Sequence, residues 1–222
     1  MNYLSHYAVD HRLGDVYYNT ALILPDVTKR WIKTFKHPLP PETFTPEQHA
    51  LLAGSMRHYH SDAAFHASSF FAHYLDQVDR AVKQSGLSDA VNRKWFIAHI
   101  LTELLIDRKI VHDAVHLCDS FYADLQLAED SVLIPFLNFY GMADPEPFLQ
   151  GFNHFRSVRY IYYYTDNNKF LYSLSRIMMR VGLPEPQASD AQKIVDAMLK
   201  VEAEMPNGSD LVAELKTVVA AR

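Results

Sequence analysis

Ionisable side chains recur at four-residue intervals inside two helical patterns, and this recurrence restricts the fold more than any other feature of the chain. His58, Asp62 and His66 are spaced in this way. In a helix each step of four rotates the side chain by only about 40°, so the three share one face. His99, Glu103 and Asp107 repeat the spacing among the apolar residues Phe96, Ile100, Leu101, Leu104 and Leu105. A single helix offers ligands from one side only, so a cation on either face needs ligands from a neighbouring helix. Burying carboxylates and imidazoles without such a cation is costly. The faces therefore either stay open to water or gather around a metal ion. Imidazole and carboxylate without thiolate suit manganese, iron, zinc or magnesium.

The rest of the chain reads as helix, and the expected fold class is all-α, a multi-helix bundle. Helical pattern covers 2–36, with breaks at Gly14 and at Leu24-Pro25-Asp26, where Asp26 can serve as a helix cap. The Pro-rich stretch 37–47 forms a loop, after which Thr45, Pro46 and Gln48 predict a capping box opening a helix. That helix is expected over 46–84, with a kink near Gly54. The next starts at Ser88 or Asp89 and continues or bends to Leu127. A shorter one follows Glu129 and stops at Gly141, and a long segment runs from 144 to 182. Two amphipathic helices are expected at 188–205 and 209–220. Only the Tyr-rich run 158–164 has strand-like composition. These readings give one helical domain over 1–222, in which 185–222 can form a C-terminal appendage.

Composition narrows the functional classes. A chain of 222 residues, 49% hydrophobic, can bury a substantial core. No window of apolar residues is long enough to span a membrane, and the opening residues lack a signal-peptide pattern. A single cysteine, Cys118, excludes an internal disulfide framework and fits a reducing cytoplasm, the expected location. The formal net charge of −5 argues against a nucleic-acid partner recognised through overall positive charge. Glycine-rich phosphate loops, serine nucleophile elbows and paired-cysteine motifs are absent.

Other residues compete for a role. His112-Asp113 is a literal His-Asp dipeptide, but a dipeptide is a weak signal and an exposed, solvated face accounts for it better. His73 reads as structural. The segment 152–180 interleaves Arg156, Arg159, Arg176 and Arg180 with Tyr160, Tyr162, Tyr163 and Tyr164. Guanidinium groups beside aromatic rings suit a phosphate or an acidic partner. The segment therefore supports an alternative class, a non-catalytic helical scaffold that grips an acidic partner. A di-iron oxygen-activating bundle lacks its expected Glu-x-x-His pairs.

The opening Met1-Asn-Tyr-Leu-Ser-His6, the run Ala21-Leu-Ile-Leu-Pro-Asp26 and Gly54-Ser-Met-Arg-His58-Tyr-His-Ser-Asp62 together resemble the acyl carrier protein phosphodiesterase family. That family starts Met-Asn-Phe-Leu-Ala-His and carries Gly-x-x-x-His-Arg-x-x-Asp. Its members are helical, distant relatives of the His-Asp (HD-domain) metal phosphohydrolases. They release 4′-phosphopantetheine from holo acyl carrier protein with a divalent ion, manganese foremost. The resemblance implies His6, Asp26, His58 and Asp62 as metal ligands and gives Arg180 a counterpart in the family's C-terminal segment. On chemical grounds His99 or Glu103 is expected to complete the shell, Asp62, His66 or Asp107 to transfer protons, and Arg156, Arg159 or Arg180 to meet the phosphate. The expected partner is acyl carrier protein or another phosphoester substrate. The chain departs from the family pattern at Tyr59, where the family has arginine, and at His66, where it has aspartate. It also departs on the later helix, where the family's Asp-His pair aligns with Thr102-Glu103 or Ala98-His99.

Overall fold

A computed structural model describes residues 1–88, 91 and 93–221. Among them all regular secondary structure is helical: α1 (Tyr3–Asp10), α2 (Val16–Ala21), α3 (Leu24–Val27), α4 (Pro46–His66), α5 (Ser69–Gln84), α6 (Lys94–Asp113), α7 (Val115–Leu127), α8 (Asp130–Phe139), α9 (Glu146–Val158), a 3-10 helix (Tyr160–Thr165), α10 (Asn167–Arg180), α11 (Ala188–Glu204) and α12 (Gly208–Ala220). No described residue is in a strand, so the Tyr-rich run takes the 3-10 form. None of the described helices is long and apolar enough to cross a membrane.

The bundle forms around α6, which packs against α1, α5, α7, α10, α11, α12 and the 3-10 helix. Its buried positions, among them Ile97, Leu101, Leu105, Ile106 and Ile110, fall on more than one face, as a central helix requires. Ile194 and Met198 of α11 and Leu211 and Leu215 of α12 join the same core; α11 lies on α5 and α6, and α12 lies on α6, α1 and α4. Cys118 is fully buried there.

Several boundaries differ from the sequence reading for local reasons. The first helical region ends at Val27 rather than near residue 36. The expected helix 46–84 is two helices, because the Ser68 hydroxyl caps a new start at Phe71 N. Gly54 produces no break; it lets α4 approach α2 so closely that a Cβ would lie 2.2 Å from the Tyr18 carbonyl oxygen. The next helix begins at Lys94; Ser88 precedes it, and Asp89 lies outside the described residues. It stops at Asp113, and Ala114 separates it from α7. The capping box at Thr45 and Gln48 forms as expected.

Candidate metal centre

Four separate segments converge on one place. His6 comes from the middle of α1, Asp26 from the short α3, His58, Asp62 and His66 from α4, and His99 and Glu103 from α6. Small buried residues on α4, including Gly54, Ser55 and Ser61, let it sit close enough to its neighbours for these side chains to meet.

The side chains form two triads. In the first, ligand atoms of His6, Asp26 and His58 lie within 4.8 Å of one another. The His6 and His58 rings stack with centroids 4.0 Å apart, and His58 Nε2 lies 3.8 Å from Asp26 Oδ1. Orientation is fixed from behind. His58 Nδ1 sits 2.8 Å from the Leu22 carbonyl oxygen and donates to it, so in the neutral ring Nε2 carries the lone pair. His6 Nδ1 lies 3.3 Å from Ser61 Oγ, whose single proton is directed to backbone carbonyls of the preceding turn. His6 can therefore donate to Ser61, which leaves its Nε2 buried with no hydrogen-bond partner. A buried nitrogen lone pair without a donor is costly as an isolated feature, and it suits a metal ligand. Burial, reinforced by the nearby His58 and Met1 amino group, holds His6 well below the usual imidazole range. Asp26 keeps 34% of its side chain exposed, yet loss of hydration still raises its carboxyl, against the pull of His58 and the Met1 amino group.

The second triad joins His66, His99 and Glu103. His66 Nε2 lies 3.3 Å from His99 Nε2, and both nitrogens lie 3.0 Å from Glu103 Oε1. Burial alone would raise Glu103, but the Met1 amino group and hydrogen bonds from His66 and His99 bring it down to about 2. Burial would likewise lower His66, and hydrogen bonds to Asp62 and Glu103 outweigh it, pushing the imidazole up to about 9.

Asp62 stands between the triads, 3.8 Å from His6 Nε2 and 3.3 Å from His66 Nδ1, with the Met1 amino group 2.7 Å from Oδ1. Burial works to raise its carboxyl, but the His66 hydrogen bond and the Met1 charge hold it well below the usual carboxylate range.

Asp107 faces elsewhere. Helix α1 has no side-chain cap of its own, and Asp107 caps it from α6, accepting from Leu4 N at 3.1 Å, Ser5 N at 2.7 Å, Asn2 Nδ2 at 2.7 Å and the Ser5 hydroxyl. Burial pushes this carboxyl up to about 6 against those donors. With its oxygens so engaged, Asp107 positions the helix that carries His6 and is not free to serve as a general base.

A cleft of about 770 Å³ opens beside Asp26, walled by Tyr3, Trp31, Phe148, Phe155 and Tyr160, with Lys169, Arg176 and Arg180 on its lining. Of the arginines expected against a phosphate, Arg180 lines this cleft. Arg156 and Arg159 do not line it. Arg156 donates to Leu125 O, Ala128 O and Asp130, closing the carboxyl end of α7, and Arg159 bonds to Gln126. Arg176, which belongs to the same Arg/Tyr-rich segment, stands one turn before Arg180 on the same helix and joins it on the cleft. Tyr3 and the Met1 amino group carried no pattern that marks a site. His112 and Asp113 are away from the centre: Asp113 accepts from Gly208 N and pairs with Lys109.

Compared with known proteins, the chain matches no protein-family model, no curated protein and no solved structure. The described geometry itself defines the class reached here: an all-helical protein with His/Asp/Glu groups positioned to hold a metal ion.

Proposed function

We propose that the chain is a metal-dependent phosphodiester hydrolase of the type its N-terminal sequence resembles, working in the cytoplasm on 4′-phosphopantetheinyl acyl carrier protein or another phosphodiester. The observation that carries this reading is the unpartnered, buried Nε2 of His6, stacked on His58 and close to Asp26 beside a cationic, aromatic cleft. On this reading the fold is a variant of the HD-domain-like helical bundle. His6, Asp26 and His58 would hold the ion, manganese foremost, with iron, magnesium or zinc as alternatives, and Asp62 would lie beside it. Once bound, the ion supplies Lewis acidity toward the phosphoryl oxygens and makes water a better nucleophile.

The chain's own groups do the rest. Leu22 and Ser61 keep the two imidazoles aimed inward. Arg176 and Arg180 offer guanidinium hydrogen bonds to phosphoryl oxygens. Burial pushes Tyr3 up to about 12, so its hydroxyl stays protonated and can donate to an anionic oxygen. The aromatic walls exclude water and give an extended, weakly polar arm a surface to lie on. Of the four arginines on which the scaffold alternative draws, Arg156 and Arg159 are engaged within the chain, whereas Arg176 and Arg180 line the cleft, where either reading can use them.

The test compares hydrolysis of bis-p-nitrophenyl phosphate and holo acyl carrier protein by the wild type, His58→Ala and Arg180→Ala. His58→Ala is expected to lose the ion at the first triad together with about 100-fold in activity. Arg180→Ala is expected to act mainly on KM while keeping the metal. Full metal content and undiminished turnover in His58→Ala would overturn the proposal.

A further inference from the structure

The second triad has the dimensions of a metal site in its own right. Its three facing atoms, His66 Nε2, His99 Nε2 and Glu103 Oε1, are separated by 3.0, 3.0 and 3.3 Å. Three ligands at about 2.0–2.1 Å from one ion lie about 2.9 Å apart in an octahedral arrangement and about 3.3 Å apart in a tetrahedral one. The triad therefore needs little rearrangement to coordinate.

The rings are also held in place. His66 Nδ1 lies 2.9 Å from the Asp62 carbonyl oxygen, which leaves Nε2 as the inward nitrogen. A hydrogen bond from the opposite ring nitrogen to a carbonyl is the usual support for a ligating histidine. Phe71 packs edge-on against both imidazoles, with centroids 4.8 and 5.0 Å away, and the two imidazoles lie within 17° of parallel. His99 and Glu103 are one turn apart on α6, so a single helix face presents both. The three side chains remain 29%, 32% and 13% exposed, which leaves room for water or substrate to complete a coordination shell.

We propose that His66, His99 and Glu103 hold a second divalent cation, separate from the ion at His6, Asp26 and His58, with the Asp62 side chain lying between the two. Two nitrogens and one oxygen favour zinc, iron(II), manganese or cobalt over magnesium or calcium. A competing arrangement needs no metal: the Met1 amino group lies 3.7 Å from Glu103 Oε1 and supplies positive charge there. The inference adds to the proposed hydrolase, whose first ion it assumes, but the two can fail separately.

The experiment titrates metal-stripped protein with cobalt(II), following its visible absorption, and measures bound metal by elemental analysis after dialysis. Wild type is expected to bind two equivalents. His99→Ala and Glu103→Gln are each expected to bind one, retaining the ion at the first triad. His58→Ala should also bind one, at the second triad. Far-UV circular dichroism on every variant, and the shape-preserving Glu103→Gln, separate loss of a ligand from loss of fold. One equivalent in wild type that disappears in His58→Ala and persists in Glu103→Gln and His99→Ala overturns the second site and leaves the hydrolase reading intact. One equivalent lost only in Glu103→Gln and His99→Ala supports this site and removes the ion from the first. Absence of binding overturns both.

Discussion

Asp107 shows how far spacing alone can carry a residue assignment. It shares a helical face with His99 and Glu103, as the four-residue interval requires. Its neighbour in space, however, is the uncapped amino end of α1, which only the tertiary structure brings within reach. Asp107→Ala would remove the acceptor from the buried Leu4 and Ser5 amides and the Ser5 hydroxyl, and would leave the half-buried Asn2 Nδ2 with only the Tyr164 hydroxyl at 3.4 Å. A loss of about 3 kcal/mol in unfolding free energy is expected, read by urea denaturation, with metal affinity changed far less than by His58→Ala. His6, Asp26 and His58 were legible because their residue types and family-like motifs coincide, whereas Ser61 and the Leu22 carbonyl have no sequence signature for their orienting roles. The second triad also has a pH signature in chelator. The folded state keeps His66 protonated up to about pH 9, while the unfolded chain releases that proton near the ordinary imidazole value of about 6.5. Its stabilisation is therefore complete below about pH 6.5 and is lost as pH rises toward 9. Glu103 behaves oppositely, contributing above about pH 4.5 and losing its effect as pH falls toward 2. Thermal unfolding of metal-free protein across pH 6–9.5 should show a falling Tm, and His66→Ala should flatten that slope. An unchanged slope would contradict the assigned hydrogen bonds.

At the scale of elements, α4 is the piece on which the site depends. Its low apolar content makes it a poor core helix by pattern, and it packs through small residues instead. Gly54 illustrates this directly: a methyl group there would meet the Tyr18 carbonyl at 2.2 Å and the Ala21 Cβ at 2.8 Å. Both contacts are with parts of α2 that cannot rotate away. Gly54→Ala is expected to destabilise the fold by about 1–3 kcal/mol and to weaken metal binding as well, because α2 leads directly into the Leu22 carbonyl and Asp26. Unaltered thermal stability would show that α2 and α4 can separate without loss. The sequence showed Gly54 as a candidate kink, since glycine in a helix has two meanings, flexibility and close approach, and only the partner helix distinguishes them. The division between α4 and α5 was hidden for a related reason. Ser68 is a good cap, but apolar periodicity continues past it, so the break becomes evident only where His66 turns toward α6.

For the whole molecule, the helical class followed from periodicity, while the convergence of α1, α3, α4 and α6 on one centre did not. Long-range proximity between Met1 and Asp62, or between His66 and Glu103, has no trace in local pattern. The cleft has the same character: Tyr3 and Trp31 come from one end of the chain, and Arg176 and Arg180 from the other. Its position beside Asp26 puts the groups that could hold a metal ion next to an aromatic surface carrying Lys169, Arg176 and Arg180, and the proposed phosphodiester reading rests on that conjunction. The most direct measurement is hydrolysis of holo acyl carrier protein and of bis-p-nitrophenyl phosphate by metal-stripped protein, with manganese, magnesium, iron and zinc restored in turn. The account predicts no turnover without metal and restored cleavage of at least one diester with manganese. Absence of turnover on both diesters with every metal would contradict it, as would cleavage that persists in chelator.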